Sequence, residues 1–305
     1  MKKNIDVSII IVCYNSEDYI INCLDSISNN KSSNYEIIII DNNSIDSSVQ
    51  KVKQYYSEVK LIRNTKNLGF SSAVNIGIKE SLGNKIFLLN PDTKLKKNCI
   101  VSLIEKMNKS SYKVIAPQLL NENNTIAKSL WRFPTLISSI GELIYLDSLF
   151  KSKNYGDKNF HNSFEIESYS GAAMFFHKKI IDKIGYFNED LFWNEDIDFC
   201  KRLYQKQEKI LFYPKSQLIH YGGKSSKSNQ RIRISNQLLS KIKYFDLYHG
   251  SIEKNILYIA ILIIITLKLF LVMPLSFLNI KYREIFFSYL FSLRLLLIKD
   301  YRVQL

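Results

Sequence analysis

Val7-Ser8-Ile9-Ile10-Ile11-Val12-Cys13-Tyr14, closed by Asn15-Ser16, is the stretch on which the fold turns. Its near-continuous β-branched residues read as a strand buried on both faces, which places it in the middle of a sheet covered by helices. Asn15-Ser16 stops the strand and offers an N-cap. Tyr19, Ile20, Cys23, Leu24 and Ile27 then recur at three- and four-residue spacing, so a helix over Ser16 to Ile27 packs back on the sheet.

The same alternation continues along the chain. Strands are expected over Tyr35 to Ile40, Val59 to Arg63 and Lys85 to Leu89, with helices over Ile45 to Tyr56 and Ser71 to Glu80 between them. Short connections between strands and helices imply right-handed crossovers and a mainly parallel α/β sheet. Beyond this lie a helix over Asn98 to Lys109 and a strand over Lys113 to Pro117. The pattern then loosens into Asn- and Lys-rich pieces around an apolar segment, Leu136 to Phe150, which reads as a helix inserted beside the site. Strand character returns at Ser170 to Phe176, a helix opens at Asn194-Glu195-Asp196, and two short strands are expected at Ile210 to Tyr213 and Leu218 to Tyr221.

Charge is distributed unevenly. Residues 1 to 200 carry 24 Lys and Arg against 23 Asp and Glu, whereas residues 201 to 305 carry 18 against 5, so nearly all of the +14 net charge is C-terminal. The four cysteines form no CxxC pair and have no His at metal spacing. That points to reduced thiols in a cytosolic compartment and away from zinc or a disulfide framework. The N-terminal Met1-Lys2-Lys3 and the apolar run after it resemble a signal peptide only superficially. Asp6 interrupts them and no small-residue cleavage site follows, so the run reads as the first strand.

Phe87-Leu88-Leu89-Asn90-Pro91-Asp92-Thr93 ends an apolar strand in a proline and a carboxylate. In open α/β sheets ligands sit outside the carboxyl ends of strands, where a lone aspartate can offer oxygens to a hard cation. An ordinary Asn-Pro-Asp turn is the competing reading.

Six motifs occur in a recognisable order: Val12-Cys13-Tyr14-Asn15, Ile40-Asp41-Asn42-Asn43-Ser44-Ile45-Asp46, Arg63 to Phe70, Asn90-Pro91-Asp92-Thr93, Ser170-Gly171-Ala172 and Glu195-Asp196-Ile197-Asp198. In this the chain resembles the family 2 inverting glycosyltransferases, in particular their rhamnosyltransferase-like branch, over about residues 5 to 250. The resemblance implies a GT-A fold, a nucleotide-diphosphate sugar donor, a divalent Mg²⁺ or Mn²⁺ ion and inversion at the anomeric carbon. Asp92 is then the metal ligand. The family's paired-carboxylate motif is reduced here to Asn90-Pro91-Asp92, and the resemblance adds His220 as a second ligand, against a simply hydrogen-bonded histidine.

The resemblance also places Asp41 beside the nucleobase, where its carboxylate accepts an imide N–H. An Asx turn capping the next helix competes with that role or coexists with it. Tyr14, Asn15, Asn67, Gly69, Asn75 and Asn90 line the donor, with Gly69 allowing close backbone approach. Asp196 is the expected general base that takes the acceptor hydroxyl proton, as inversion by single displacement requires. Glu195 and Trp193 face the acceptor, and capping of the helix start competes for the acids.

The C-terminal residues differ in kind. Residues 224 to 254 interleave Lys and Arg with Ile, Leu and Phe, as suits an anionic leaflet. Ile256 to Phe277 is apolar with a few interruptions, notably Lys268 and Pro274. At about 1.5 Å per residue such a helix is just long enough to cross a bilayer. A second apolar run, Ile285 to Ile298, is short and contains Arg294, so an interfacial helical pair and a two-span hairpin both stand.

Two regions are expected: 1–223, a catalytic nucleotide-sugar domain, and 224–305, a membrane-associated helical tail. The leading reading is an enzyme at the cytoplasmic face of the cell membrane. It moves a sugar, with dTDP-rhamnose as one candidate donor, to a lipid-linked or cell-surface polysaccharide precursor. An inactive membrane-bound scaffold of the same fold is the alternative. Nucleic acid is not an expected partner, because the basic charge adjoins apolar helices and no RNA or DNA module is present. A dinucleotide oxidoreductase is opposed by the absence of GxGxxG after the first strand.

Overall fold

The computed structural model describes residues 5–30, 34–146, 155, 158–222 and 230–299. The elements run β1 (Val7–Cys13), α1 (Ile20–Ser28), β2 (Tyr35–Asp41), α2 (Ser48–Tyr55), β3 (Lys60–Arg63), α3 (Phe70–Glu80), β4 (Lys85–Leu89) and β5 (Thr93–Leu95). Then follow α4 (Cys99–Asn108), β6 (Val114–Leu120), β7 (Leu130–Trp131), α5 (Leu136–Leu143), β8 (Phe164–Ile166), β9 (Ser168–Tyr169), β10 (Ala173–His177) and α6 (Ile180–Ile184). The chain continues through α7 (Glu195–Gln205), β11 (Ile210–His220), α8 (Gln230–Tyr248), α9 (Gly250–Ser276) and α10 (Ile280–Leu297).

The main sheet has the order β3-β2-β1-β4-β10-β6-β11-β5, with β8 also paired to β11. β1 is central and buried along its whole length, as its β-branched run requires. Alternate side chains serve opposite faces. Val7, Ile9, Ile11 and Cys13 share a core with Ile20, Cys23, Leu24 and Ile27 of α1 and with Leu103 of α4. Ile10 faces the other way, towards α3. There Gly77 lets the helix approach so closely that a Cβ would stand 2.5 Å from the Ile10 Cγ2. Each buried Ile of this strand contributes roughly 1.5–3 kcal/mol.

The sheet is mainly parallel, but β10 runs antiparallel between β4 and β6. β5 and β8 are also antiparallel to β11. The two short strands expected after residue 210 are one continuous β11, whose register on β6 shifts between Tyr213 and Gln217. α1 starts at Ile20, four residues later than the spacing suggests, because Ser16 first closes a turn through its carbonyl to the N–H groups of Tyr19 and Ile20. α2 likewise starts at Ser48, where the Asp46 carboxylate accepts the Ser48 N–H at 3.0 Å. The helix expected over Leu136 to Phe150 is formed over Leu136–Leu143 behind a capping box of Thr135 and Ser138, and residues 147–150 lie outside the described residues.

The chain divides into two compact units. The first holds residues 1–131, 157–188 and 196–227 and contains both sheets. The second comprises 132–156, 189–195 and 228–305, so two segments from mid-chain belong with the C-terminal helices. Within it α8, α9 and α10 pack on one another and α5 packs on α9. Leu257, Ile261 and Ile265 of α9 are buried in this bundle. Ile252, Ile256, Ile259, Ile263, Leu267 and Phe270 form an exposed stripe at helical spacing. Among the described residues α9 is the one helix long and apolar enough to cross a membrane.

Candidate active site

The carboxyl ends of the parallel strands meet at one edge of the sheet, because β1 aligns Cys13 with Asp41 of β2 and Ile11 with Leu89 of β4. Past Leu89 the chain turns through Asn90-Pro91 and reaches Asp92. The short β5 then pairs antiparallel with the end of β11, setting Thr93 opposite His220 and Leu95 opposite Leu218. The Asp92 carbonyl also accepts the Tyr221 N–H at 2.9 Å. This register brings His220 Nε2 to 3.3 Å from Asp92 Oδ1.

Asp92 is 1% exposed, and among the described residues neither carboxylate oxygen has a hydrogen-bond partner of acceptable geometry. The same holds for His220 Nε2. A buried carboxylate left without donors is strongly disfavoured. A buried carboxylate with an imidazole nitrogen 3.3 Å from one of its oxygens is a pair of donors that suits a divalent cation. The residues therefore fit a metal, although among the described residues no group of three or more His, Cys, Asp or Glu gathers to hold one.

A second carboxylate is linked to this edge through the backbone. Asn90 donates its N–H to the Ala172 carbonyl at 2.9 Å, and the adjacent Gly171 donates its N–H to Asp196 Oδ2 at 2.9 Å. Ile197 N–H donates to Asp196 Oδ1 at 2.8 Å. The Asp196 carboxylate is thus fixed at the start of α7. Burial pushes its pKa above the ordinary carboxylate range, partly offset by these backbone donors. Asp198 is engaged differently: its Oδ2 accepts from Arg202 Nη2 at 2.7 Å and Nε at 3.0 Å. Arg202 donates further to the Ile184 carbonyl, so Asp198 ties α7 to the end of α6.

The residues expected along the donor fall mostly into one polar lattice. Asn15 adopts a left-handed conformation with φ 48°. Its N–H donates to Ser44 Oγ at 3.0 Å and its Oδ1 accepts the Ile45 N–H at 2.9 Å. Asn42 Nδ2 donates to the Gly69 carbonyl at 3.0 Å, and the Gly69 N–H donates to Asn67 Oδ1 at 2.9 Å. Gly69 has φ 81°, a region that favours glycine. Asp41 is fully buried, and its carboxylate accepts the Ser44 N–H at 3.2 Å and Arg63 Nε at 3.4 Å. Asp41 thus closes a turn onto Ser44, as weighed, but it does not cap α2, whose N-cap position is Ser47. Tyr14 is exposed beside this lattice.

Asn75 stands apart. Its Nδ2 donates to the Phe187 carbonyl and its Oδ1 accepts the Phe187 N–H, both at 2.9 Å, so it fastens α3 to the segment before α7. Trp193 and Glu195 fall in the second unit, where Trp193 donates its N–H to Ser240 Oγ at 3.2 Å and its ring stacks loosely on Phe192. Sequence reading assigned no role to Gly171, Arg63 or Tyr221. Gly171 was visible inside the Ser-Gly-Ala motif. Tyr221, whose ring lies 5.6 Å from that of Tyr19, carried no signal beyond following His220.

Comparison with solved structures assigns the architecture to the GT-A class of glycosyltransferase folds. S. aureus TarS 1–349 in complex with UDP-GlcNAc matches 86% of this chain and 81% of its own, with a TM-score of 0.54 at 16% identity. GalNAc-T7 with UDP, GalNAc and Mn²⁺ matches 72% of this chain and 44% of its own, with a TM-score of 0.55 at 18% identity. The chain belongs to glycosyl transferase family 2, whose description matches residues 8–185. It is 32% identical over 205 residues to the low-salt glycan biosynthesis hexosyltransferase Agl10 of Haloferax volcanii, covering 65% of this chain and 61% of that protein. It is 26% identical over 216 residues to glycosyltransferase GlyA of Streptococcus pneumoniae serotype 4, covering 69% of this chain and 30% of that protein.

Proposed function

We propose that the protein is an inverting glycosyltransferase that moves a sugar from a nucleotide-diphosphate donor to a lipid-linked or cell-surface glycan precursor at the cytoplasmic face of the membrane. The observation that supports this most is Asp92 and His220, brought together by the β5–β11 register, with the Asp92 carboxylate oxygens and His220 Nε2 lacking a hydrogen-bond partner among the described residues. They would hold Mg²⁺ or Mn²⁺, which when bound neutralises charge developing on a departing diphosphate. With two protein ligands, a bound ion would have room for diphosphate oxygens.

Tyr14, Asn15, Asp41, Asn67, Gly69 and Asn90 form the donor wall, where the lattice holds the loops after β1, β2 and β3 in fixed relation. Asp196 is the base. The acceptor oxygen bonds to the anomeric carbon as its proton passes to the Asp196 carboxylate, and the sugar–phosphate bond breaks with its electron pair leaving on the nucleoside diphosphate. Gly171 and Ile197 aim that carboxylate, and its raised proton affinity suits it to accept a hydroxyl proton. Trp193 and Glu195 receive the acceptor. The exposed stripe of α9 supports attachment to the membrane surface.

The test offers the full-length chain dTDP-rhamnose, UDP-glucose and UDP-GlcNAc with Mn²⁺ or with chelator, and measures release of nucleoside diphosphate. Metal-dependent release from one donor is expected, with dTDP-rhamnose first in line by the branch resemblance. Donor binding without turnover of any of them, with acceptor lipid extract present, would favour the inactive scaffold.

A further inference from the structure

The apolar helix α9 contains one charge beyond its first turn and a half, Lys268. Its ammonium lies 4.3 Å from the centroid of the Tyr145 ring and 5.5 Å from that of Tyr289, while the two phenol hydroxyls neighbour each other. Among the described residues no carboxylate pairs with it. Around it Leu267, Phe270 and Leu271 are exposed, so a cation and two phenols are set into an apolar surface.

The chemistry of this cluster favours headgroup depth. Tyrosine sets an apolar ring and a wet hydroxyl there, and a lysine ammonium is costly in hydrocarbon. At that depth the exposed Leu267 and Phe270 reach the acyl boundary.

We propose that Lys268, framed by Tyr145 and Tyr289, seats the phosphate of an anionic membrane lipid. The ammonium supplies the charge, the phenol hydroxyls donate to phosphate oxygens, and the ring faces keep the ammonium in place when no lipid is bound. The proposal rests on the reading of the C-terminal helices as membrane-associated, and the experiment separates the two.

The full-length protein is sedimented with vesicles of phosphatidylcholine alone and with vesicles containing about one-fifth phosphatidic acid, the gain for the acidic lipid being read at the strength expected per basic residue. Wild type is expected to bind both and to prefer the acidic vesicles. Lys268→Gln should keep its phosphatidylcholine binding and lose about fivefold of the preference, which is one basic residue's worth at the surface. Arg233→Gln, at an exposed position of α8, should lose less than twofold. Equal losses in the two variants would assign the preference to diffuse charge and overturn the seat. Release of wild type by inorganic phosphate at constant ionic strength would mean a free-phosphate site, which also overturns it. Failure to bind either vesicle overturns the membrane reading itself. If Lys268→Gln does not fold, Tyr145→Phe removes a single exposed hydroxyl and must halve the preference, and an unchanged preference overturns the proposal.

Discussion

Asp41 ends β2 and Asp92 follows β4, the two strands that flank β1; both are buried, and they are treated in opposite ways. Asp41 has its donors supplied by the protein, from the Ser44 N–H and Arg63 Nε. Among the described residues Asp92 has no hydrogen-bond donor of acceptable geometry, and it faces a histidine nitrogen in the same condition at 3.3 Å. A buried carboxylate with satisfied oxygens is a joint that holds loops, whereas one without them is stable only when something from outside completes it. Asp198 and Asp196 repeat the contrast on α7. The first is closed by Arg202, while the second is oriented by two backbone N–H groups and left proton-hungry by burial.

The largest effect that would break or sharpen this contrast is expected at Asp196. Asp196→Asn should cut transfer by about 10² to 10⁴, roughly 3–5 kcal/mol of barrier, with donor affinity near wild type. Glu195→Gln is the control. Retained transfer in Asp196→Asn together with abolished transfer in Glu195→Gln would move the base by one residue. The same acid sets a pH dependence. The base works deprotonated and its pKa is raised, so kcat/KM should fall with decreasing pH through a limb lying above the usual carboxylate range. A limb at ordinary carboxylate pH would contradict this.

Asp198→Asn should show the opposite profile, with stability lost and chemistry spared per folded molecule. Breaking its buried pair with Arg202 costs about 3 kcal/mol, measured by urea denaturation. Next in size is the response to metal. Mn²⁺ at a hundred times its dissociation constant should stabilise wild type by about 2.7 kcal/mol, raising its melting temperature, and should leave Asp92→Ala unmoved. Equal shifts in both proteins would place the ion elsewhere. Asp41→Asn is expected to have the smallest effect, about 1 kcal/mol of stability, because the amide keeps an acceptor for Ser44 and the lost partner Arg63 is half exposed. A large loss of donor affinity in that variant would give Asp41 a direct role at the base.

The N-terminal half of the sheet was legible because each signal was local. Val7 to Cys13 can only be a doubly buried strand, and Tyr19 to Ile27 can only be an amphipathic helix. Strand direction was less visible, since Ala173–His177 reads the same whether it runs with or against β4. β11 was split in reading by Pro214 to Ser216, which break the apolar pattern, yet pairing with β6 carries the strand across with a register shift. For the site, Asn90-Pro91-Asp92 announced itself as a strand end. What the sequence could not show was β5, three residues long, whose pairing with β11 creates the Asp92–His220 contact. At Asn75 the motif suggested the donor and gave no sign of the hydrogen bonds that its amide makes at both ends to Phe187.

The placement of β10 between β4 and β6 has a consequence during synthesis. β4 and β6 are made first and are not neighbours, so the emerging chain must keep a slot between them until the residues of β10 have left the ribosome. Asp92 and His220 are roughly 130 residues apart, and at about 5–20 residues per second that is on the order of ten seconds of translation. During that interval Asp92 has no histidine beside it, and any premature β4–β6 pairing has to be undone. A nascent chain stalled before residue 173 should therefore present an open sheet edge to chaperones, and one released after residue 222 should not.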